Sequence, residues 1–234
     1  MSIKVAIQVP IKMAPSERVP GKNFREIAGH PLAYFMLNEL LKHCPEDWMI
    51  VIDTEDASAL EKHRDDLPLG SGLVYERPKH LAEKWANGNH LLWNFANAHP
   101  GFDIYAQAFV TAPCLRGETV VEAIGKIAEP GEGPAHFYKD SVMIGRDVTG
   151  WMWNNCGPVN YTLDLPAGLP RSQDAKLWKE STGLYAVNRQ PLLERGCRVG
   201  ERPLLHVISE DEMVDVDTEE DLAKAEEILM RRQR

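Results

Sequence analysis

Two groups of residues, almost the whole chain apart, carry side chains that could do chemistry together. The first is cationic: Lys12, Arg18, Lys22 and Arg25, with Glu17 and Glu26 the only acids among them, on a chain whose net charge is −9. The second is anionic: Asp215-Val216-Asp217, close to the C-terminal end. On an extended segment, residues two apart project to the same face, so both carboxylates face one way and repel unless a cation lies between them. Hard oxygen donors suit Mg²⁺, which keeps several waters and takes one or two carboxylates together with phosphate oxygens. A cationic loop on an acidic protein is best explained by a polyphosphate. Taken singly, the acids also read as a helix cap at Asp217 and an exposed Asp215, with Val214 and Val216 as a buried face. Together the two groups describe a triphosphate held by Lys12, Arg18 and Lys22, with Mg²⁺ at Asp215 and Asp217 against its α-phosphate. An acceptor oxygen attacks that phosphorus and pyrophosphate leaves, chemistry that is mostly positioning and charge neutralisation.

The elements that must position these residues follow from hydrophobic patterning. Ile3 to Val9 reads as a buried first strand, and Pro31 to Leu37 opens an amphipathic helix. The long loop between a first strand and a first helix is where an open α/β sheet binds its ligand. Further strands are expected at Met49–Asp53, Gly72–Tyr75, Ile104–Val110, Ala135–Tyr138 and Gly183–Val187, with a short strand-like element at Met213–Asp217. Helices are expected at Ala57–Leu67, Asn89–Ala98, Glu118–Ala128 and Glu219–Arg231, the last capped by Thr218. This alternation predicts a three-layer, doubly wound, mainly parallel sheet with helices on both faces. The stretch 145–173, with Trp151, Trp153, Asn154, Asn155, Pro158, Tyr161, Pro166 and Pro170, breaks the rhythm. It reads as an insertion in a single domain spanning 1–234: a lobe over the site, an arm against another subunit, or a satellite core cluster.

A chain of 234 residues with 44% hydrophobic residues suits one α/β domain with an appendage. Its acidic balance argues against a nucleic-acid partner or an anionic membrane surface, both of which favour a basic face. Four cysteines stand far apart without zinc spacing and fit free thiols in a reducing compartment. No apolar leader with a cleavage site and no membrane-length apolar run is evident, so a cytoplasmic location is expected. The eight scattered histidines show no transition-metal spacing. There is no GxSxG elbow, and no GxGxxG after the first strand.

The order of motifs is specific. Pro10 and Ser16-Glu17-Arg18-Val19-Pro20-Gly21-Lys22-Asn23 resemble the N-terminal motif of the cytidylyltransferase family that includes CMP-sialic acid and CMP-Kdo synthetases. Asp53-Thr54-Glu55-Asp56, Arg77-Pro78, Pro113 to Arg116, Arg171-Ser172-Gln173-Asp174 and Val214 to Leu222 resemble that family's later motifs in the same order. The resemblance implies CTP as donor, a sugar acid (nonulosonic or Kdo-like) as acceptor, Mg²⁺ at Asp215 and Asp217, and homodimerisation through the inserted segment. It places Pro10, Lys12, Ser16, Arg18, Lys22, Asn23 and Arg77 at the nucleotide; Asn87 is a candidate for the cytidine or acceptor pocket, and a surface asparagine in a loop is the other reading of it. The resemblance assigns Arg171, Gln173 and Asp174 to the acceptor, and the catalytic roles to Lys12, Lys22, Asp215 and Asp217; Gln107 and Thr111, at and after the end of the fourth strand, are further candidates for the acceptor.

The chain departs from the family at the loop itself. Met13-Ala14-Pro15 stands where the family has glycines whose N–H groups close on phosphate, and Lys12 replaces an arginine fork with a point charge. Val110 occupies the place of the family's glutamine, with Gln107 three residues earlier. A different acceptor, such as a sugar phosphate or phosphonate, fits these departures, as does a non-catalytic nucleotide-binding module. A metal-dependent glycosyltransferase is the rival enzyme.

Overall fold

The structure, a computed structural model, describes residues 3–14, 19–68, 73–128, 138–164 and 168–233. Its centre is a seven-stranded sheet made of β1 (Val5–Pro10), β2 (Met49–Thr54), β3 (Leu73–Glu76), β4 (Ile104–Ala108), β5 (Ser141–Thr149), β6 (Lys176–Asn188) and β7 (Pro203–Val207). Their order across the sheet is β7-β5-β6-β4-β1-β2-β3. Every strand runs in one direction except β6, which is antiparallel to both β4 and β5.

Strand alternation builds the layers. Val5, Ile7 and Val9 of β1 face one side with Ile52, Ile104 and Ala106, under α1 (Leu32–His43) and α4 (Gly117–Ala128). Ala6, Val51, Tyr105 and Val187 face the other side, against Leu92 and Phe95 of α3 (Gly88–Ala98) and Leu192 of α5 (Arg189–Arg195). Strands buried on both faces show no polar alternation, which is why these runs stand out in the sequence. The last helix, α6 (Glu219–Arg232), lays Leu222, Ala225, Ile228 and Leu229 on a third cluster with Val214, Val216 and Phe35. Its N-terminus carries a reciprocal capping box between Thr218 and Asp221. The chain leaves β1 toward β2 and β3, then returns to β4 on the opposite side of β1. The crevice between the ends of β1 and β4 is therefore the switch point of the sheet.

Four expectations change. The strand expected at Ala135–Tyr138 begins at Ser141 instead; residues 135–137 lie outside the described residues and Tyr138 is in no strand. The segment expected to leave the sheet at Gly145 stays in it to Thr149, paired with the long β6, so the excursion spans 150–175. Within it, Trp153–Asn154 and Gly157–Pro158 form a small ribbon. The helix expected over Ala57–Leu67, α2 (Ala57–Glu61), ends at Glu61 and is followed by a 3₁₀ turn, Arg64–Asp66. Met213–Asp217 forms no strand. Met213 closes a 3₁₀ turn, and the next residues run extended with the Val216 N–H bonded to the Thr111 carbonyl at 2.7 Å.

Candidate functional site

The cationic loop and the twin aspartates meet. Gly21 adopts a left-handed conformation (φ 63°) that turns the chain into the short 3₁₀ turn Lys22–Phe24. From there Lys22 Nζ donates to the Val216 carbonyl at 2.7 Å and to Asp217 Oδ1 at 3.0 Å. Asn23 Nδ2 donates to the Lys12 carbonyl at 3.0 Å and ties the turn to the loop. Pro10, Lys12, Met13, Lys22, Asn23, Arg77, Phe109 and Thr111 border a cleft of ≈ 600 Å³ at the strand ends. The Lys12 side chain is exposed there. Ser16 and Arg18 lie outside the described residues.

Asp215 borders a second cleft. Its Oδ2 accepts from Thr182 Oγ1 at 2.5 Å, whereas its Oδ1 is buried and has no hydrogen-bond partner. Thr182 lies where the β5–β6 register shifts, between Glu180 and Tyr185, and such irregularities re-aim side chains at sites. The second cleft, ≈ 620 Å³, is bordered by Asp215, Arg146, Lys179, Ser181, Thr182 and Lys224. Val214 and Val216 are buried while Asp215 and Asp217 are partly exposed, so the alternation expected of a strand persists without one. A buried carboxylate oxygen without a donor is costly unless a cation meets it. The donor set at Asp215 and Asp217 therefore fits a hard divalent ion.

Other expected ligand residues have neighbours of their own. Arg77 is 3% exposed. Its Nη1 donates to the Asp53 carbonyl at 2.6 Å and to Asp53 Oδ1 at 2.7 Å, and its Nη2 to Glu55 Oε2 at 2.6 Å. Asp53 also accepts from Gln8 Nε2, and burial raises the Asp53 carboxyl above the usual carboxylate range against the opposing pull of Arg77 and Gln8. Gln107, fully buried, donates to Gln8 Oε1 at 2.7 Å from the register position directly opposite. Asn87 caps α3 in a reciprocal box with His90. Arg171 and Asp174 pair with each other at 3.0 Å on the excursion, and with Gln173 they are exposed, bordering neither cleft.

Three residues in this region were not singled out from the sequence. Arg198 donates to Gln107 Oε1 at 3.1 Å and lies 3.6 Å above the Tyr185 ring. Its loop is fastened by Asp140, which accepts from the N–H groups of Glu201 and Arg202. Gly88 admits this arginine, since a Cβ there would collide with the guanidinium. Burial and a hydrogen bond to Glu180 raise the Tyr185 phenol. Glu212 joins the turn before Asp215 to the start of α4 by accepting from Thr119 Oγ1 at 2.6 Å. Nothing in the local sequence around Arg198 marks it. Glu212 was visible only as one acid in an acidic run.

The mainly parallel α/β sheet with its one reversed strand is a fold shared with solved structures. Among solved structures, a CMP:2-keto-3-deoxy-manno-octonic acid synthetase complexed with CTP matches at TM-score 0.67 and 17% identity, over 98% of this chain and 99% of that one. The 4-diphosphocytidyl-2C-methyl-D-erythritol synthase of Anaerococcus prevotii matches at TM-score 0.68 and 12% identity, over 98% and 97%. A further 4-diphosphocytidyl-2C-methyl-D-erythritol synthase matches at TM-score 0.62 and 14% identity, over 98% and 100%. No protein-family sequence model matches, and no curated protein sequence does. What these likenesses share with the chain is the fold.

Proposed function

We propose that the protein transfers a cytidylyl group from CTP to a hydroxyl of a sugar acid, of the nonulosonic or Kdo-like kind, and releases pyrophosphate. The single observation that carries the reading is Lys22, beside the cleft, reaching Asp217 at 3.0 Å. A phosphate-binding cation and a carboxylate pair stand together there, at the switch point of the sheet. CTP-complexed and cytidyl-named proteins of the same fold add support.

In this reading Lys12 and Lys22 hold the triphosphate, and Leu81, Ala82, Ala86 and Leu91 give the cleft an apolar wall for the base. Asp215 and Asp217 would hold Mg²⁺, which supplies positive charge where negative charge builds on the phosphate oxygens. Thr182 orients Asp215, and Lys22 fixes Asp217. The acceptor enters from the second cleft, where Lys179 and Lys224 suit its carboxylate. Its hydroxyl oxygen bonds to the α-phosphorus, the bond from that phosphorus to the bridging oxygen breaks, and the hydroxyl proton passes to solvent. The excursion exposes Trp151, Trp153, Leu163 and Leu169, an apolar surface suited to a second copy of the chain. No helix among the described residues is long and apolar enough to cross a membrane.

The test is pyrophosphate release from CTP with Mg²⁺ and a panel of sugar acids, sugar phosphates and phosphonates. Turnover is expected with CTP and one sugar acid, and Asp215→Asn and Lys22→Ala should each lower it by about 10²-fold or more. Silence with every acceptor and every nucleoside triphosphate overturns the proposal. Sugar transfer from a nucleotide sugar without pyrophosphate does so in favour of a glycosyltransferase.

A further inference from the structure

The loop after β1 already has an anion on its backbone. The N–H groups of Met13 and Ala14 both donate to Glu55 Oε1, at 2.7 and 2.8 Å. The other oxygen, Glu55 Oε2, takes Arg77 Nη2, and the same guanidinium grips Asp53. Two residues before Met13, the Ile11 N–H donates to the Asp53 carbonyl at 2.9 Å. The path from Ile11 to Ala14 is thus fastened to residues 53 and 55, and Glu55 is itself held by a buried cation. Between the fastened positions stands Lys12, its carbonyl taken by Asn23 and its side chain exposed at the cleft.

Consecutive N–H groups converging on one oxygen form an anion nest. In a loop with glycines such a nest is open to a phosphate. Here a carboxylate of the protein fills it, and Pro15 has no N–H to add. Resting on the cytidylyl-transfer reading above, we infer that Glu55 is the positioning residue of the phosphate loop. It takes over the shaping role that glycines would have, fixes the main chain around Lys12, and leaves the triphosphate to the lysine side chains. Arg77 serves the nucleotide through Glu55, by holding it in place.

The test compares wild type with Glu55→Gln and Glu55→Asp. Glutamine removes the charge, and aspartate keeps the charge but falls one methylene short of the loop. Hydrogen exchange in the nucleotide-free protein should show lost protection at the amides of Met13 and Ala14 in both variants. In steady state with Mg²⁺, KM for CTP should rise about tenfold, as expected for loss of a charge-assisted contact, while kcat stays within about threefold. Should the glutamine variant not fold, the aspartate variant carries the same comparison. Unchanged KM with a lowered melting temperature makes Glu55 purely structural and overturns the inference. Tighter CTP binding also overturns it, because the carboxylate would then be competing with phosphate for the nest. Wild type that binds no CTP sinks the cytidylyl-transfer reading and this role with it, whereas wild-type binding with unaffected variants sinks this role alone.

Discussion

Replacing Arg77 with methionine tests whether the buried bridge beneath the cleft is built as described. The Arg77 side chain is 2% exposed, Asp53 0% and Glu55 9%. Methionine keeps an unbranched chain but leaves two carboxylates buried without their cation. Breaking a buried pair from one side costs about 3–5 kcal/mol, a large share of the roughly 5–15 kcal/mol that holds a domain folded. The loss should depend on pH in a definite sense. Burial already raises Asp53 above the ordinary carboxylate value with Arg77 opposing it, so without Arg77 the gap between folded and unfolded states widens. A carboxyl whose folded pKa lies above its unfolded one binds its proton more tightly on folding, and stability then falls as pH rises through that gap. Arg77→Met should therefore be most harmful at neutral pH and partly rescued by acid. Urea unfolding of wild type and variant at pH 7.5 and pH 5.0 measures this. The expected difference is about 3–5 kcal/mol at the higher pH. It should be smaller by at least about 1 kcal/mol at the lower, since each pH unit inside the gap contributes about 1.4 kcal/mol. A difference below about 1 kcal/mol at pH 7.5, or one equal at both pH values, refutes the reasoning.

Two further outcomes are expected. Burial disfavours the Glu212 charge, but hydrogen bonds from Thr119, Ser209 and the Arg116 N–H outweigh it and hold the carboxyl below its usual range. Its contribution is therefore present at neutral pH and lost as pH falls through the carboxylate range. Glu212→Gln should cost about 1–3 kcal/mol at pH 7 and progressively less toward pH 3–4, a trend that urea midpoints against pH would show; an unaltered acid limb contradicts it. Among the thiols, burial raises Cys44 to about 12 and Cys114 to about 11, while Cys156 is exposed. Iodoacetamide at pH 8 should label Cys156 first in the native protein and reach Cys44 and Cys114 only on unfolding, as peptide mass spectrometry would record; native labelling of Cys114 at the Cys156 rate contradicts it.

The layers were legible because burial on both faces leaves an unmistakable apolar run, as in Val5 to Val9 and Met49 to Ile52. Direction was not legible. Nothing in Gly183 to Val187 tells a reversed strand from a forward one, and the polar first half of β6 does not read as a strand at all. Val214 to Asp217 shows the converse. Its alternation comes from packing Val214 and Val216 under α6, which needs an extended backbone but no ladder. At the site, the convergence of the cationic loop and the twin aspartates was readable from charge type, whereas the direct pair of Lys22 with Asp217 was not. The destination of Arg77 was not, because an Arg-Pro pair does not say which way a guanidinium turns. That was decided by carboxylates placed on the neighbouring strand end. Asn87, a candidate for the nucleotide from the sequence, caps α3 with His90 in the structure.

The reversed strand explains why the carboxylate pair can sit where it does. Leu184 of β6 lies opposite Ala108, the last residue of β4, so the residues just before Leu184 overhang the ligand edge of the sheet. In a parallel β6 that edge would receive Asn188, and Thr182 would lie away from it. Reversal therefore delivers the hydroxyl that holds Asp215. It also requires β6 to close tightly on the turn after β4: the Gly183 carbonyl accepts the Phe109 N–H at 3.0 Å, and a Cβ on Gly183 would stand 2.9 Å from that of Ala112. With Thr182 on one side and the Thr111 carbonyl receiving Val216 on the other, the aspartate segment is fixed between two neighbours. It needs no strand of its own, and its outward carboxylates meet Thr182 at Asp215 and Lys22 at Asp217.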